Sequence, residues 1–447
     1  MKTLVLSFLT LFLLSPLIPQ QLEVKNLRYK CVDMKLKIEM GTLLIKGKTI
    51  PIEPKEFLIP PPSQIEIRDE IVNIGDEKPQ GWWAGTRLTG PKTPHLYHCL
   101  PGCLVPHSVI VKSADGSIIY EEGRDYLVDQ IWGAIGRVPS GRIPRGGTVL
   151  VSYKYSLQRM DLIEVNEEGK LLLKKGKEEK TCPLPPKPDK GYYPLLHIFL
   201  PYHTRELSDE LIYPIGAPFP FPEREEIIAN SRFVEKTLRK LKNGDKVTIV
   251  FWGDSVTAGG DASSPAKAFP ARFTSYLKKR FPKAIIEMVN AGIGGTNTNQ
   301  RLPNIESEVL AYNPDLVVIE FVNDMGLSEE NLRNNYYRAI DLIRGKGGEV
   351  IILTPHFTMP SMMGLDSVKR ARETRRGVEI LREIAKEKGV GLADASKRWE
   401  HLAQEGIPYT TLLYNGINHP DDRGHLIFVE ELLKFFGFVA GMGKNGF

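Results

Sequence analysis

The spacing of hydrophobic residues changes near position 220 and divides the chain into two parts. In the first part apolar and polar residues alternate, most clearly over residues 148–155, and this pattern predicts half-buried strands. The pair Asp115-Gly116 between two apolar runs predicts a hairpin turn. Short strands separated by frequent turns predict a β-sandwich-like unit over residues 21–181.

From residue 223 onward the pattern becomes one of continuous apolar runs separated by segments with helical spacing. Such runs predict parallel strands joined by crossover helices on both faces of one sheet. The predicted α/β unit spans residues 223–437, and we expect residues 438–447 to form a tail. Its predicted strands are residues 246–252, 285–289, 316–319, 350–353 and 390–392.

The segment between the two predicted units is rich in proline. Residues 182–222 include the run from Cys182 to Pro188, in which four of seven residues are proline, and a second cluster from Pro214 to Pro222. Because proline-rich stretches favour an extended, stiff backbone, the segment is predicted to be a linker.

The first 20 residues have the composition of a secretory signal peptide. A lysine follows Met1, and an almost wholly apolar stretch continues to Ile18, where prolines close it. An uncleaved membrane anchor is the alternative, but the stretch is at the lower limit for crossing a bilayer. The sequence therefore predicts a secreted, extracytoplasmic protein without stable membrane insertion after cleavage.

The composition excludes several classes of protein. Hydrophobic residues make up 42% of the chain and charged residues 25%, which fits neither a disordered chain nor a polytopic membrane protein. The 59 lysines and arginines exceed the 54 acidic residues by only five, and they are dispersed. We therefore expect no nucleic-acid partner. The oligomeric state stays open.

The four cysteines all precede residue 190: Cys31, Cys99, Cys103 and Cys182. In an exported protein we expect them to form two disulfide bonds, in one of three connectivities. A zinc site is the alternative, since Cys99 and Cys103 have ligand-like spacing. Three histidines are near them in sequence: His95, His98 and His107. A second cysteine pair of the kind found in zinc ribbons is absent, which favours disulfide bonds.

Chemically active residues follow the predicted parallel strands, at the edge where active sites of such sheets lie. Ser255 comes after the first strand in Gly253-Asp254-Ser255, where a tight strand-to-helix turn can present its hydroxyl and backbone N–H. Gly295 follows the second strand and can aim an N–H at a ligand. Asn323 follows the third strand and can donate its amide to an oxyanion. His419, before the last predicted helix, can act as a general base.

In order and placement these motifs resemble the blocks of the SGNH hydrolases, the GDSL esterase/lipase superfamily. The resemblance covers roughly residues 246–437 and implies a flavodoxin-like three-layer α/β domain with a parallel sheet. It also implies a serine esterase with Ser255 as nucleophile and His419 as general base. Ser255, Gly295 and Asn323 would form its oxyanion hole. No cofactor or metal ion is expected for this chemistry.

Two positions depart from the family's pattern. Phe321 stands where the third block usually has glycine, so the wall beside the amide donor is expected to be bulkier. Gly416 stands where an aspartate usually precedes the histidine by three residues, which leaves the group that orients His419 open. The candidates are Asn415, Asp421, Asp394 and a backbone carbonyl.

The superfamily includes lipases, lysophospholipases, thioesterases and carbohydrate O-acetylesterases, and we favour the last. A β-rich companion unit suits work on a polysaccharide, and Trp82 and Trp83 on a loop can stack on sugar rings. Substrate contacts are also expected of Asp254, Asn297, Phe321 and His356. The alternatives are a lipase or lysophospholipase, a short-chain acylesterase, an acyltransferase, and an inactive surface-binding module.

Overall fold

The computed structural model describes residues 22–45, 47–92, 98–216, 218–220 and 222–437. The predicted signal peptide (1–20) and tail (438–447) lie outside the described residues. The described chain forms two compact units. The β-rich unit comprises residues 22–216 and 406–417, and the α/β unit comprises residues 218–405 and 418–437.

The β-rich unit is built from antiparallel strands in several small sheets. Pairing follows the orders β1-β2-β3 with β4 on β2, β5-β10-β7, β6-β9-β8 and β12-β11-β13-β14. The strands are Leu22–Val32 (β1), Lys35–Ile45 (β2), Lys48–Pro51 (β3), Lys55–Leu58 (β4), Gln64–Asn73 (β5), Thr86–Arg87 (β6), Ile110–Ser113 (β7), Tyr126–Asp129 (β8), Ala134–Arg137 (β9), Thr148–Ser156 (β10), Arg159–Asn166 (β11), Leu171–Lys174 (β12), Tyr192–Leu200 (β13) and Ile212–Pro214 (β14).

Two hydrophobic cores hold the described part of this unit together. In one core, Leu36 and Ile38 of β2 pack with Ile198 of β13. In the other, Val149 and Val151 of β10 pack with buried side chains of neighbouring strands and loops. The alternation predicted for residues 148–155 is confirmed, since successive β10 side chains point alternately into and out of this core.

The predicted linker over residues 182–222 is wrong over residues 192–214, which contribute two strands to the β-rich unit. Strand β13 pairs with β11 and β14, and its Leu195, Leu196 and Ile198 are fully buried. This apolar run is long enough to form a central strand. Pro194 lies within it at a register shift in the pairing with β11, and the ladder continues on both sides of that shift. The β-rich unit therefore extends to residue 216.

No disulfide bond joins the four cysteines, contrary to expectation. Cys99 and Cys103 are buried, and their thiols donate to backbone carbonyls, that of Cys99 to Leu88 at 3.2 Å and that of Cys103 to Ser156 at 3.4 Å. Burial raises the pKa of each of these two thiols to about 12, so both are held as neutral thiols. Cys99 and Cys103 therefore act as small core side chains.

The α/β unit has one sheet of five parallel strands in its described residues, in the order β16-β15-β17-β18-β19. The strands are Lys246–Gly253 (β15), Ile285–Gly292 (β16), Leu316–Glu320 (β17), Glu349–Leu353 (β18) and Gly391–Ala393 (β19). The order 2-1-3-4-5 is that of flavodoxin-like sheets, which confirms the predicted fold. Because the winding direction reverses at β15, the switch point lies at the carboxyl end of this strand.

Helices cover both faces of the sheet and make three layers. Phe251 of β15 packs on Phe269 and Phe273 on one face, whereas its neighbours Val250 and Trp252 join the core of the other face. The helices are Arg224–Ser231 (α1), Glu235–Asn243 (α2), Ser255–Ala258 (α3), Phe269–Arg280 (α4), Thr298–Arg301 (α5), Ile305–Glu308 (α6), Glu329–Gly345 (α7), Arg376–Lys388 (α8), Ala395–His401 (α9) and Asp422–Leu433 (α10).

The α/β unit is not the single stretch 223–437 that the sequence predicts. Residues 406–417 belong to the β-rich unit, and the chain returns to the α/β unit at Asn418. Within the β-rich unit the Thr181 hydroxyl lies 2.9 Å from the Tyr414 carbonyl oxygen, and His197 Nδ1 lies 2.8 Å from the carbonyl oxygen of Gly406.

In the described part of the chain, every helix is too short or too polar to cross a bilayer.

Candidate active site

Ser255 lies at the switch point of the sheet. Strand β15 ends at Gly253, and Ser255 is the first residue of the short helix α3. Asp254 caps this helix, since its Oδ1 accepts a hydrogen bond from the backbone N–H of Val256 at 3.0 Å. The tight turn is thereby fixed, and it presents the Ser255 side chain beyond the end of the strand.

His419 lies against Ser255 although 164 residues separate the two in sequence. Its Nε2 is 2.9 Å from Ser255 Oγ, and its Nδ1 is 2.7 Å from Oδ2 of Asp261. A carboxylate accepts hydrogen bonds, so the proton of the neutral ring lies on Nδ1 and Nε2 is left to accept from the serine hydroxyl. These three side chains have the connectivity of a serine hydrolase triad.

Asp261 is a site residue that the sequence analysis missed. It follows Gly259 and Gly260, six positions after Ser255, and its backbone is left-handed with φ of 58°. Aspartate and asparagine adopt this conformation more readily than most residues. Two features of the sequence could have indicated Asp261. A carboxylate follows the serine on the next loop, and position 416 has glycine where the family usually has aspartate.

Gly260 allows the histidine ring to approach the loop closely. A Cβ at this position would lie 3.0 Å from Nδ1 of His419 and 2.9 Å from the backbone oxygen of Ser255. These distances are shorter than ordinary carbon contacts, so a side chain here would displace the ring. The glycine therefore keeps His419 between Ser255 and Asp261.

The structure assigns other partners to each side chain expected to orient His419. Asn415 accepts the backbone N–H of Ile417. Asp421 caps α10 and pairs with Arg423. Asp394 caps α9 and pairs with Arg382. The last candidate, a backbone carbonyl, is also wrong, because the hydrogen-bond partner of His419 Nδ1 is the carboxylate of Asp261.

Two further expected donors, Gly295 and Asn323, lie on the segments that follow β16 and β17. Gly295 has φ of 73°, a value that glycine adopts without strain, and no atom would contact a Cβ there. Asn323 lies in the short turn after β17, where its Nδ2 donates to the backbone oxygen of Thr296 at 3.1 Å. This bond holds the amide of Asn323 beside the turn that contains Gly295.

Buried carboxyl groups tie these loops together. Oδ2 of Asp254 accepts the backbone N–H of Asn323 at 3.0 Å. Oδ1 of Asp324 accepts the N–H of Thr298 at 2.8 Å and its hydroxyl at 3.1 Å. The first bond joins the serine turn to the amide donor, and the second joins the amide loop to the segment that follows Gly295.

Glu320 completes this group of carboxyls. It is fully buried, and its Oε2 accepts the Thr257 hydroxyl at 2.7 Å. Burial raises the pKa of Asp254 to about 6 and that of Asp324 to about 7, and it raises the pKa of Glu320 well above its ordinary value. Burial disfavours the charged form, so these acids keep their protons to higher pH than an exposed carboxyl group does.

The structure contradicts three expected substrate contacts by burying the side chains, and it gives a fourth residue, Asn297, a capping role. Asp254 is fully buried beneath the turn. Asn297 caps α5, since its Oδ1 accepts the N–H of Gln300. Phe321 is buried edge-on against Trp252, with ring centroids 5.0 Å apart, and so forms no pocket wall. His356 is fully buried as well.

His356 and His425 brace the two loops of the site instead. Nε2 of His356 donates to the backbone oxygen of Asn418 at 2.8 Å, one residue before His419. Nδ1 of His425 accepts the N–H of Phe269, and its Nε2 lies 3.3 Å from the oxygen of Gly260. Burial lowers the pKa of His425 to about 4 and that of His356 well below its ordinary value, so both rings are neutral.

The expected sugar-stacking residues belong to the β-rich unit. Trp83 is 66% exposed, and Trp82 packs beside it with ring centroids 5.5 Å apart. Across the described residues, no group of three or more histidine, cysteine or acidic side chains could hold a metal ion.

Residues 251–427 match the model of the GDSL-like Lipase/Acylhydrolase family. Acetylxylan esterase of Geobacillus stearothermophilus is 25% identical over 224 residues, which cover 44% of this chain and 97% of that protein. A two-domain esterase active on acetylated mannans, co-crystallized with mannopentaose, is 22% identical over 48% of this chain, with a TM-score of 0.40. That match spans 57% of the length of the esterase.

A further solved structure, LAE5 from the metagenome of Lake Arreo in Spain, is 20% identical over 43% of this chain and 96% of its own, with a TM-score of 0.36. The family match includes both Ser255 and His419. The chain therefore carries a domain of the GDSL-like lipase/acylhydrolase family and is a carboxylic ester hydrolase.

Proposed function

We propose that this protein removes acetyl groups from a carbohydrate by a serine acyl-enzyme mechanism. The observation that carries the chemistry is the relay of Ser255, His419 and Asp261, with distances of 2.9 Å and 2.7 Å. Similarity to an acetylxylan esterase over nearly the full length of that enzyme supports the choice of substrate.

In the first half of the reaction, Ser255 Oγ attacks the acetyl carbonyl while His419 Nε2 takes its proton. The Asp261 carboxylate stabilises the imidazolium that forms and holds its Nδ1–H in place. Backbone N–H groups of Ser255 and Gly295 and the amide of Asn323 stabilise the oxyanion. His419 then gives the proton to the sugar oxygen, which leaves as an alcohol, and acetyl remains on Ser255.

In the second half, water replaces the sugar. His419 takes a proton from the water, the hydroxide attacks the acetyl-enzyme, and the same oxyanion donors stabilise the intermediate. Collapse returns the proton to Ser255 Oγ and releases acetate. Each half uses residues of this chain alone, and the mechanism requires no metal ion or cofactor.

A panel of substrates tests this proposal. Acetate release is measured from acetylated xylan, acetylated glucomannan and p-nitrophenyl acetate, and fatty-acid release from a phospholipid, with wild-type protein and Ser255→Ala. We expect release from the polysaccharides and p-nitrophenyl acetate, lost in Ser255→Ala without a change in melting temperature. Acetate from p-nitrophenyl acetate alone would refute the carbohydrate substrate, and full activity of Ser255→Ala would refute the mechanism.

We further propose that the protein is exported. The apolar stretch after Lys2 supports this, as does a polymeric substrate, which is found outside cells. Expression with and without residues 1–20, followed by assay of culture medium and cell extract, tests the proposal. Equal retention of both forms in the cell extract would contradict it.

A further inference from the structure

Four aromatic side chains form a cluster on the β-rich unit: Trp82, Trp83, His98 and Trp132. The ring of Trp82 is central, with centroid distances of 5.5 Å to Trp83, 6.0 Å to Trp132 and 6.2 Å to His98. Trp82 and Trp132 are half-buried, whereas Trp83 is 66% exposed. The exposed ring therefore stabilises the fold little by burial and rests on a supporting layer of other rings.

One carboxylate fastens both loops that carry the tryptophans. Asp129, the last residue of β8, accepts the N–H of Gly81 through Oδ2 at 2.9 Å. Its Oδ1 accepts the N–H groups of Ile131 and Trp132, each at 3.0 Å. Because the backbones of both loops are hydrogen-bonded to the same side chain, the rings are held in one arrangement before a ligand binds. This preorganisation lowers the entropic cost of binding.

The loop of Trp82 has a second attachment. Nη2 of Arg87, in strand β6, donates to the backbone oxygen of Trp82 at 2.9 Å. Strand β6 pairs with β9, so this bond ties the loop to a sheet rather than to another loop. The preorganised arrangement thus rests on side chains other than the rings themselves.

The size of the exposed surface indicates the kind of ligand. A single exposed indole offers on the order of 150 Å² of apolar surface. A stable protein interface needs about 800 Å² from each partner, so a protein partner would find too little area here. The apolar face of a pyranose ring is of similar size to an indole, and its hydroxyl groups stay in water when it stacks.

We propose that Trp83, supported by Trp82 and Trp132 and preorganised by Asp129, is a stacking site for the pyranose rings of a polysaccharide main chain. The identity of the ligand rests on the proposed function, whereas the existence of the site rests on the cluster itself. The site retains polymer and takes no part in the chemistry at Ser255.

Affinity gel electrophoresis of the full chain tests this inference, with soluble deacetylated glucomannan and xylan cast into the gel. We expect at least one polymer to retard the wild-type protein. Trp83→Ala and Trp83→Leu should bind about tenfold more weakly, and Trp83→Tyr should retain most of the binding. Ile71→Ala is the matched control, because it removes another highly exposed apolar side chain, 74% exposed, from the same unit.

Turnover of p-nitrophenyl acetate is measured on every variant and should equal that of wild type, which shows that the esterase site is intact. Lack of retardation of the wild type in both polymers would overturn the inference. So would equal retardation of Trp83→Ala, or binding by Trp83→Leu as strong as that of wild type. Retardation that depends on Trp83 without acetate release from polysaccharide would support the stacking site and refute the proposed function instead.

Discussion

Replacing Asp261 tests whether this residue, in place of the family's usual aspartate three residues before the histidine, orients His419. Its carboxylate lies 2.7 Å from His419 Nδ1, and its side chain is only 9% exposed. When His419 becomes positive, two opposite charges about 4 Å apart at an effective dielectric constant of about 20 interact by about 4 kcal/mol. That energy corresponds to roughly 10³ in rate.

Asp261→Asn is the appropriate variant because it removes the charge and preserves the backbone. The left-handed φ of 58° suits asparagine, whereas alanine would add about 1 kcal/mol of strain. An amide can also turn its NH₂ toward Nδ1, which favours the tautomer with Nε2 protonated and unable to accept the serine proton. We therefore expect kcat to fall by about 10³–10⁴-fold.

The assay is kcat and KM for p-nitrophenyl acetate, with melting temperature as the measure of folding. KM should change little, because the carboxylate faces the histidine and away from Ser255. Asp421→Asn is the matched control: it makes the same charge change two residues after His419, in a side chain that caps α10, and kcat should stay within a few-fold of wild type. A kcat for Asp261→Asn within threefold of wild type would refute the assignment of Asp261.

Three further predictions concern the same site. Asn323→Ala should lower kcat by about 10²–10³-fold with little change in KM in steady-state assays, since one oxyanion donor is lost; an unchanged kcat would remove Asn323 from the oxyanion hole. His356→Phe should lower kcat about tenfold by releasing the Asn418 carbonyl, whereas His356→Gln, which keeps a donor, should recover part of the loss; equal activities would show that only packing matters. The pKa of Asp324 is about 7 in the folded protein and 3.8 ordinarily, so between these pH values unfolding releases its proton. The free energy of unfolding contributed by this group therefore falls as pH rises through that range, by about 4 kcal/mol in total. Asp324→Asn should therefore lose less melting temperature between pH 5 and pH 8 than wild type does, and an identical loss would contradict the raised pKa.

Local sequence was sufficient to predict the α/β sheet and several residues at its edge. Buried parallel strands are continuous apolar runs, and the residues that follow them are adjacent in space because parallel strands end at one edge. Ser255 was named on this basis, and His419 was named from the loop before the last predicted helix and from its likeness to the family's last block. The structure brings the two side chains within 2.9 Å. The contact between the two side chains is observed, whereas their roles as nucleophile and general base belong to the proposed mechanism.

Asp261 was not predicted because its partner is set by loop geometry. A sequence shows that an acid follows Gly259-Gly260, but it does not show that this loop folds back onto a histidine 158 residues later. The family's usual spacing directed attention to residues near His419. Those acids cap helices, a role that is equally visible in sequence once it is considered.

The buried carboxyls were missed for a related reason. Asp254 follows β15, whereas Glu320 ends β17 and Asp324 follows it, and only the assembled sheet places the three acids around one another. Asp254 and Phe321 were assigned to the substrate because they adjoin site residues in sequence. In a turn or strand, however, neighbouring side chains point in different directions, and both point into the interior.

The excursion of residues 406–417 determines how this protein can be divided. Tyr409, Leu412, Leu413 and Ile417 are buried within the β-rich unit. A fragment ending at residue 216 would lack part of its own core, and a fragment starting at residue 217 would expose that part to water. A single cut in the chain therefore leaves neither unit with all of its residues, and separate expression of either unit would need two cuts or a rejoined chain.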